Sequence, residues 1–127
     1  MSEIKTPRKI LVVDDEPEIR AFLSELLSVS GEFTVFQASN LSDALQFVRE
    51  NDDLDALLLD LILPDAKGVD ALRKMKEQNQ QIPIIVVTGY PGLSEHTIAM
   101  GASEHCEKPF SSSEIEFYVR KTIEAAK

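Results

Sequence analysis

The sequence predicts an α/β domain of five strand-then-helix units arranged around a parallel sheet. Three observations predict it. Apolar runs of strand length recur at residues 9–13, 33–38, 57–60 and 84–88, with a shorter, polar fifth candidate at 104–107. Most of these runs are continuously apolar rather than alternating, as strands covered on both faces are. Each is followed by a segment whose apolar residues fall at helical spacing. Right-handed β-α-β crossovers then place helices on both sides of the sheet.

The elements follow in order. Lys9-Ile10-Leu11-Val12-Val13 is a β-branched apolar strand that stops at Asp14-Asp15-Glu16. Pro17 is preorganised for a first helical turn, and acids there suit the helix dipole. Ile19, Phe22, Leu23, Leu26 and Leu27 share one face, and Gly31 offers a stop. After the second strand, Asn40 can cap a helix whose Leu41, Ala44, Leu45 and Val48 lie together, ending in the polar loop Asn51-Asp52-Asp53. Leu57-Leu58-Leu59 is a buried strand that carries Asp60 to its end. A loop from 64 to 68 leads to a third helix marked by Val69, Leu72 and Met75. The fourth strand ends at Thr88, and a loop with Gly89 and Gly92 precedes a helix limited to residues 94–100 by Gly101. Ser111 and Glu114 form a capping box for the last helix, with Ile115, Tyr118, Val119 and Ile123 on its buried face.

The 127 residues favour one domain with one core, over about 9–127. A net charge of -9 repels nucleic acid and anionic membranes, so neither is expected as a direct partner. Cys106 is the sole cysteine, which excludes an intrachain disulfide and a cysteine metal cluster. Residues 1–8 have no apolar signal core and no run reaches membrane-spanning length, so a cytoplasmic location is expected. The last residues, Glu124 to Lys127, hold no helix stop. A stand-alone protein and one piece of a longer chain are both compatible with that ending.

Chemistry gathers at the strand ends. The first strand is followed by Asp14 and Asp15, the third by Asp60, the fourth ends in Thr88, and Lys108 follows the fifth. In a parallel sheet these ends share one rim, where open α/β sheets hold their ligands. Clustered carboxylates repel each other, and a hard divalent cation such as Mg²⁺ relieves that repulsion. Lys108 adds fixed positive charge and Thr88 a hydroxyl. Such a set suits a phosphoryl group carried on a carboxylate, with Asp60 as the nucleophile. Plain alternatives stand beside this reading. Asp60 can cap a turn, Asp14 and Asp15 can be an acidic first turn, and a Lys-Pro pair is ordinarily a loop.

From Lys9 to Lys127 the chain resembles the receiver domains of two-component response regulators. The resemblance is carried by Leu11-Val12-Val13-Asp14-Asp15-Glu16, Asp60-Leu61-Ile62-Leu63-Pro64 with Gly68, Thr88-Gly89, Gly101-Ala102 and Lys108-Pro109-Phe110. It implies a single flavodoxin-like (βα)5 domain with strand order 2-1-3-4-5. It implies that Asp60 accepts a phosphoryl group from a histidine kinase or phosphotransfer domain. Asp14, Asp15, Asp60 and the backbone carbonyl of Ile62 would hold Mg²⁺, with Thr88 and Lys108 on the phosphoryl oxygens. It further implies a cis Lys108-Pro109 peptide, and a downstream protein or an output domain as the reader of the switch. A receiver modifies itself and turns over no external substrate.

The chain departs from the family pattern at three places. Three residues before the lysine, where the family couples an aromatic residue to the Thr88 position, stands His105. The expectation is a solvent-facing histidine on an edge strand, with a role as switch residue left open; His96 is assigned to a helix surface. The stretch between Thr88 and Gly101 is about two residues short, which weakens the case for a homodimer through the fourth helix. Ile62 and Tyr90 occupy the positions that tune acyl phosphate lifetime; both are bulky and neither places a water, so a long-lived phosphoform is expected. A phosphatase of the haloacid dehalogenase type is the competing reading. It needs a second acid two residues after the nucleophile, where this chain has Ile62. A receiver-like interaction module that is never phosphorylated is the third.

Overall fold

The computed structural model describes residues 6–125. Five strands form one parallel sheet in the order β2-β1-β3-β4-β5. They are β1 (Arg8–Val13), β2 (Phe33–Ala38), β3 (Ala56–Leu59), β4 (Ile84–Thr88) and β5 (Glu104–Glu107). The helices are α1 (Pro17–Ser28), α2 (Leu41–Glu50), α3 (Asp70–Gln78), α4 (Ser94–Ala99) and α5 (Ser112–Ala125). The (βα)5 fold expected from the sequence is the one observed.

The two-residue period of the strands divides the core in two. Leu11, Val13, Leu57, Leu59, Ile84 and Val86 face one side, where α2 and α3 add Leu41, Ala44, Val48, Ala71, Leu72 and Met75. Ile10, Val12, Leu58, Ile85, Val87 and Cys106 face the other, against Leu23 and Leu27 of α1 and Ile115, Val119 and Ile123 of α5. Burial on both faces is why these strands read as unbroken apolar runs. Cys106 is 3% exposed, and burial, with the charges of Glu114 and Glu107, pushes its thiol up to about 11. It is therefore a packing residue, not a nucleophile.

Local signals act as anticipated at several ends. Asn40 Oδ1 accepts the Asp43 N–H at 2.7 Å, and Ser111 and Glu114 exchange their two capping bonds. The Lys108-Pro109 peptide is cis. Other expectations need correction. β3 ends at Leu59, so Asp60 lies just beyond the strand and not within it. α1 ends at Ser28, and Gly31, at φ +77°, turns the chain after the helix instead of terminating it. Val69 precedes α3 as its N-cap residue. Phe22 is 45% exposed, because the face of α1 that meets the sheet is narrower than the apolar stripe; its ring packs instead near Phe110, centroids 6.1 Å apart.

His105 departs furthest from expectation. It pairs in register with Val86 and so points to the α4 side of the sheet. The ring is half-buried, Nδ1 lies 2.7 Å from Thr97 Oγ1 on α4, and Nε2 is buried without a partner. A solvent-facing histidine is thus replaced by one held under α4, while His96 is exposed as assigned. Burial pulls the His105 pKa below its ordinary 6.5, against the opposing charge of Glu107. The unfolded chain therefore takes up this proton first as pH falls, so stability should decline below about pH 6.5 and level off once the folded form titrates. Denaturation midpoints measured from about pH 8 to about pH 5 should show that decline, and His105→Phe should flatten it.

Candidate functional site

The C-terminal ends of β1, β3 and β4 and the start of the β5–α5 loop meet at one rim of the sheet. Two backbone bonds set the first strands there: the Asp60 N–H donates to the Val13 carbonyl at 2.9 Å, and the Asp14 N–H to the Ala38 carbonyl at 3.1 Å. Asp14 and Asp60 are each 2% exposed, whereas Asp15 and Glu16 face solvent. Each buried carboxylate also caps its own turn. Asp14 Oδ1 accepts the Glu16 N–H at 2.9 Å and Asp60 Oδ1 accepts the Ile62 N–H at 3.0 Å. The capping alternative for Asp60 is thus real for one oxygen, and it leaves Oδ2 directed into the notch.

Lys108 closes that notch. Its ammonium donates to Asp14 Oδ2 at 2.9 Å, Glu16 Oε1 at 3.1 Å and Asp60 Oδ2 at 3.2 Å. Ligand oxygens of Asp14, Asp15, Glu16 and Asp60 all lie within 4.8 Å of one another. Three of these four carboxylates share one ammonium, and the all-oxygen donor set fits a hard divalent cation. The electrostatics carry the strain of this arrangement. Burial raises the Asp60 pKa, helped by Asp14 and opposed by the Ile62 N–H and by Lys108. Burial works against the Lys108 charge too, but the hydrogen bond to Asp14 and the charges of Asp60 and Asp14 outweigh it, so its pKa rises.

Thr88 is fully buried at the end of β4. Its hydroxyl accepts the Tyr90 N–H at 3.2 Å, and its carbonyl accepts the Lys108 N–H at 2.8 Å. It thus stands beside the acid-lysine cluster and is tied to Lys108 through the backbone. Ile62 and Tyr90 are both 51% exposed at the rim. His105 is not part of the cluster and bonds Thr97 instead. Glu16 is the residue sequence reasoning missed. In the sequence it reads as an acid that suits the dipole of α1, yet its carboxylate reaches Lys108 across 92 positions. Its place in the unbroken acidic run Asp14-Asp15-Glu16 was the available signal.

Comparison with known proteins decides the family. The sequence model of the response regulator receiver domain matches residues 10–120. The chain belongs to the response regulator receiver domain family. It is 38% identical over 118 residues to sporulation initiation phosphotransferase F of Bacillus subtilis, covering 91% of this chain and 93% of that protein. It is 34% identical over 117 residues to the transcriptional regulatory protein CpxR of Escherichia coli, spanning 91% of this chain and about half, 49%, of that relative. A receiver domain structure from Clostridium thermocellum superposes with a TM-score of 0.85 at 29% identity, covering 93% of this chain and 95% of that one. The chain is thus a receiver domain of the two-component type, a family phosphorylated on aspartate that generally binds Mg²⁺ at an acidic pocket, and it presents an acidic cluster of its own at Asp14, Asp15, Glu16 and Asp60. No helix among the described residues is long and apolar enough to cross a membrane.

Proposed function

We propose that Asp60 is the phospho-acceptor of this receiver and that Asp14, Asp15, Asp60 and the Ile62 carbonyl hold the Mg²⁺ it requires. The observation that carries the reading is the Lys108 ammonium lying within 3.2 Å of both buried carboxylates. Mg²⁺ in this acidic notch supplies charge neutralisation for the phosphoryl oxygens. A carboxylate oxygen of Asp60 forms the new P–O bond, and the P–N bond of a donor phosphohistidine breaks, or the P–O bond of acetyl phosphate. The buried Asp14–Lys108 pair keeps the lysine charged and aimed at the acceptor. Thr88, on the neighbouring strand end, offers its hydroxyl to the modified carboxylate.

The donor is a histidine kinase or phosphotransfer domain, and the reader is a downstream protein or an output domain. The chain acts as a self-modifying switch without turnover of an external substrate, in the cytoplasm. Added phosphoryl charge biases the α4–β5 region, with His105 and Thr97 as the pair that changes partners. The exposed side chains of Ile62 and Tyr90 cover the rim without a carboxylate or amide to direct water at phosphorus. The test is incorporation of phosphate from acetyl phosphate with Mg²⁺, followed by removal of donor. Stoichiometric uptake that depends on Mg²⁺ and decays over minutes or longer supports the reading. No uptake defeats the acceptor assignment, and decay within seconds defeats the role given to Ile62 and Tyr90.

A further inference from the structure

Asp65 does something that no strand-end rule assigns to it. Its carboxylate reaches from the loop after β3 to the start of α2, where Oδ1 accepts the Leu41 N–H at 2.8 Å and Oδ2 accepts the Ser42 N–H at 2.9 Å. The first N–H groups of a helix have no partner within it. Here Asn40 supplies the next two acceptors, its side chain for Asp43 and its carbonyl for Ala44. All four donors are satisfied, two of them by a residue 23 or 24 positions away. The charged, two-pronged grip on a helix N-terminus is a strong form of hydrogen bond, even for an exposed side chain. Burial pushes the Asp65 pKa up, but the N–H groups of Leu41 and Ser42, helped by its own backbone N–H and the charge of Lys74, together outweigh it and hold the pKa below its usual range.

The grip completes a circuit around the acidic notch. Asp60 is bonded to Val13, the adjoining Asp14 to Ala38, and three residues after Ala38 the chain reaches Leu41. Asp65 returns from Leu41 to the loop that carries Ile62, whose own N–H donates to Asp60. That loop is otherwise anchored by the buried Leu61 and Leu63, while the Ile62 side chain lies in solvent. The backbone that aims the Ile62 carbonyl is therefore fixed on its far side by Asp65.

We infer that Asp65 is a positioning residue of the acceptor site: by clamping the β3–α3 loop to the N-terminus of α2, it sets the Ile62 carbonyl and Asp60 for metal. The inference rests on the reading of Asp60 and its neighbours as an Mg²⁺-dependent acceptor site. Neither metal nor phosphoryl group touches Asp65. Its effect runs through the loop, as outer-shell partners tune the ligands they hold.

The experiment compares wild type, Asp65→Ala, Asp65→Asn and Asn40→Ala, all well below their melting temperatures. Mg²⁺ binding is read by calorimetry and by the Ile62 amide resonance. The Mg²⁺ dependence of phosphorylation by acetyl phosphate is read separately. Asp65→Ala should weaken Mg²⁺ binding about tenfold, and raise the Mg²⁺ concentration for half-maximal rate equally, with the rate at saturating Mg²⁺ within about twofold of wild type. Asp65→Asn, which keeps one acceptor oxygen, should fall between. Asn40→Ala removes another cap of the same helix and should lower the melting temperature while leaving Mg²⁺ binding unchanged. Equal Mg²⁺ affinity in Asp65→Ala and wild type, with only a lower melting temperature, overturns the inference and makes Asp65 a helix cap alone. An Asn40→Ala protein that loses Mg²⁺ affinity as Asp65→Ala does also overturns it. Wild type that binds Mg²⁺ but takes no phosphate defeats the acceptor reading while the binding comparison still judges the clamp. Wild type that binds no Mg²⁺ removes both.

Discussion

Asp60→Asn is expected to abolish phosphate uptake and also to stabilise the metal-free protein. The first effect follows from the loss of the nucleophile, because an amide oxygen forms no stable acyl phosphate; uptake should fall at least about 100-fold. The second follows from the sign of the Asp60 shift. Burial raises its pKa, so the folded state disfavours the carboxylate relative to the unfolded chain. Above the ordinary value of 3.8 that ionisation begins to subtract from stability, and the deficit is complete once the pH has passed the raised folded-state value. Asparagine keeps an oxygen for the Ile62 N–H and carries no charge to repel Asp14. The gain should be on the order of 1 kcal/mol, a few degrees in melting temperature. Added Mg²⁺ should then raise the melting temperature of wild type more than that of the variant. Thermal denaturation with and without Mg²⁺ checks this, and a variant that melts below wild type without metal contradicts the account of the notch.

Lys108→Met is expected to have the opposite effect on stability. The ammonium is the partner of Asp14 and Asp60, both 2% exposed, and it also reaches Glu16. Removing one partner of a buried ion pair leaves an uncompensated charge, at a cost of about 3 kcal/mol. Methionine fills similar space, so packing alone does not account for a loss of that size. Mg²⁺ should restore part of it, because the metal replaces the missing positive charge, and the variant should bind Mg²⁺ more tightly than wild type. Phosphate uptake should nonetheless fall by about 100-fold, since a preorganised charge on the phosphoryl oxygens is gone. Urea denaturation at neutral pH, run with and without Mg²⁺, separates the effects. Stability within about 0.5 kcal/mol of wild type would mean that the triple ion pair contributes nothing to the fold.

The fold was legible in the sequence wherever one physical constraint dominated. Strands β1, β3 and β4, buried on both faces, tolerate little but apolar residues, so Ile10 to Val13, Leu57 to Leu59 and Ile84 to Val87 declare themselves. The cap at Asn40 and the box at Ser111 and Glu114 are local chemistry within a few residues. β5 is harder because it is an edge strand that turns only Cys106 fully inward. Its short, polar composition makes it the weakest strand signal in the sequence, with Lys108-Pro109 following at once.

The site was legible to the extent that strand ends converge by topology. Asp14, Asp60 and Lys108 needed only the parallel order to meet. Glu16 was hidden because a local explanation, the start of α1, already accounted for an acid there. Asp65 was hidden for a related reason. Its partners at Leu41 and Ser42 depend on how a loop crosses the sheet edge, which no periodicity records. His105 shows the limit from the other side. An edge strand next to a short helix left its orientation open, and Thr97, unremarkable in sequence, supplies the partner that draws the ring inward.

The most direct measurement is chemical mapping of the modified residue. The protein is treated with acetyl phosphate and Mg²⁺, the acyl phosphate is reduced with borohydride, and the peptides are sequenced by mass spectrometry. The account predicts a single reduced position, Asp60, absent when Mg²⁺ is chelated. Label at Asp14, Asp15 or any residue outside the notch, or label at Asp60 indifferent to Mg²⁺, would contradict it.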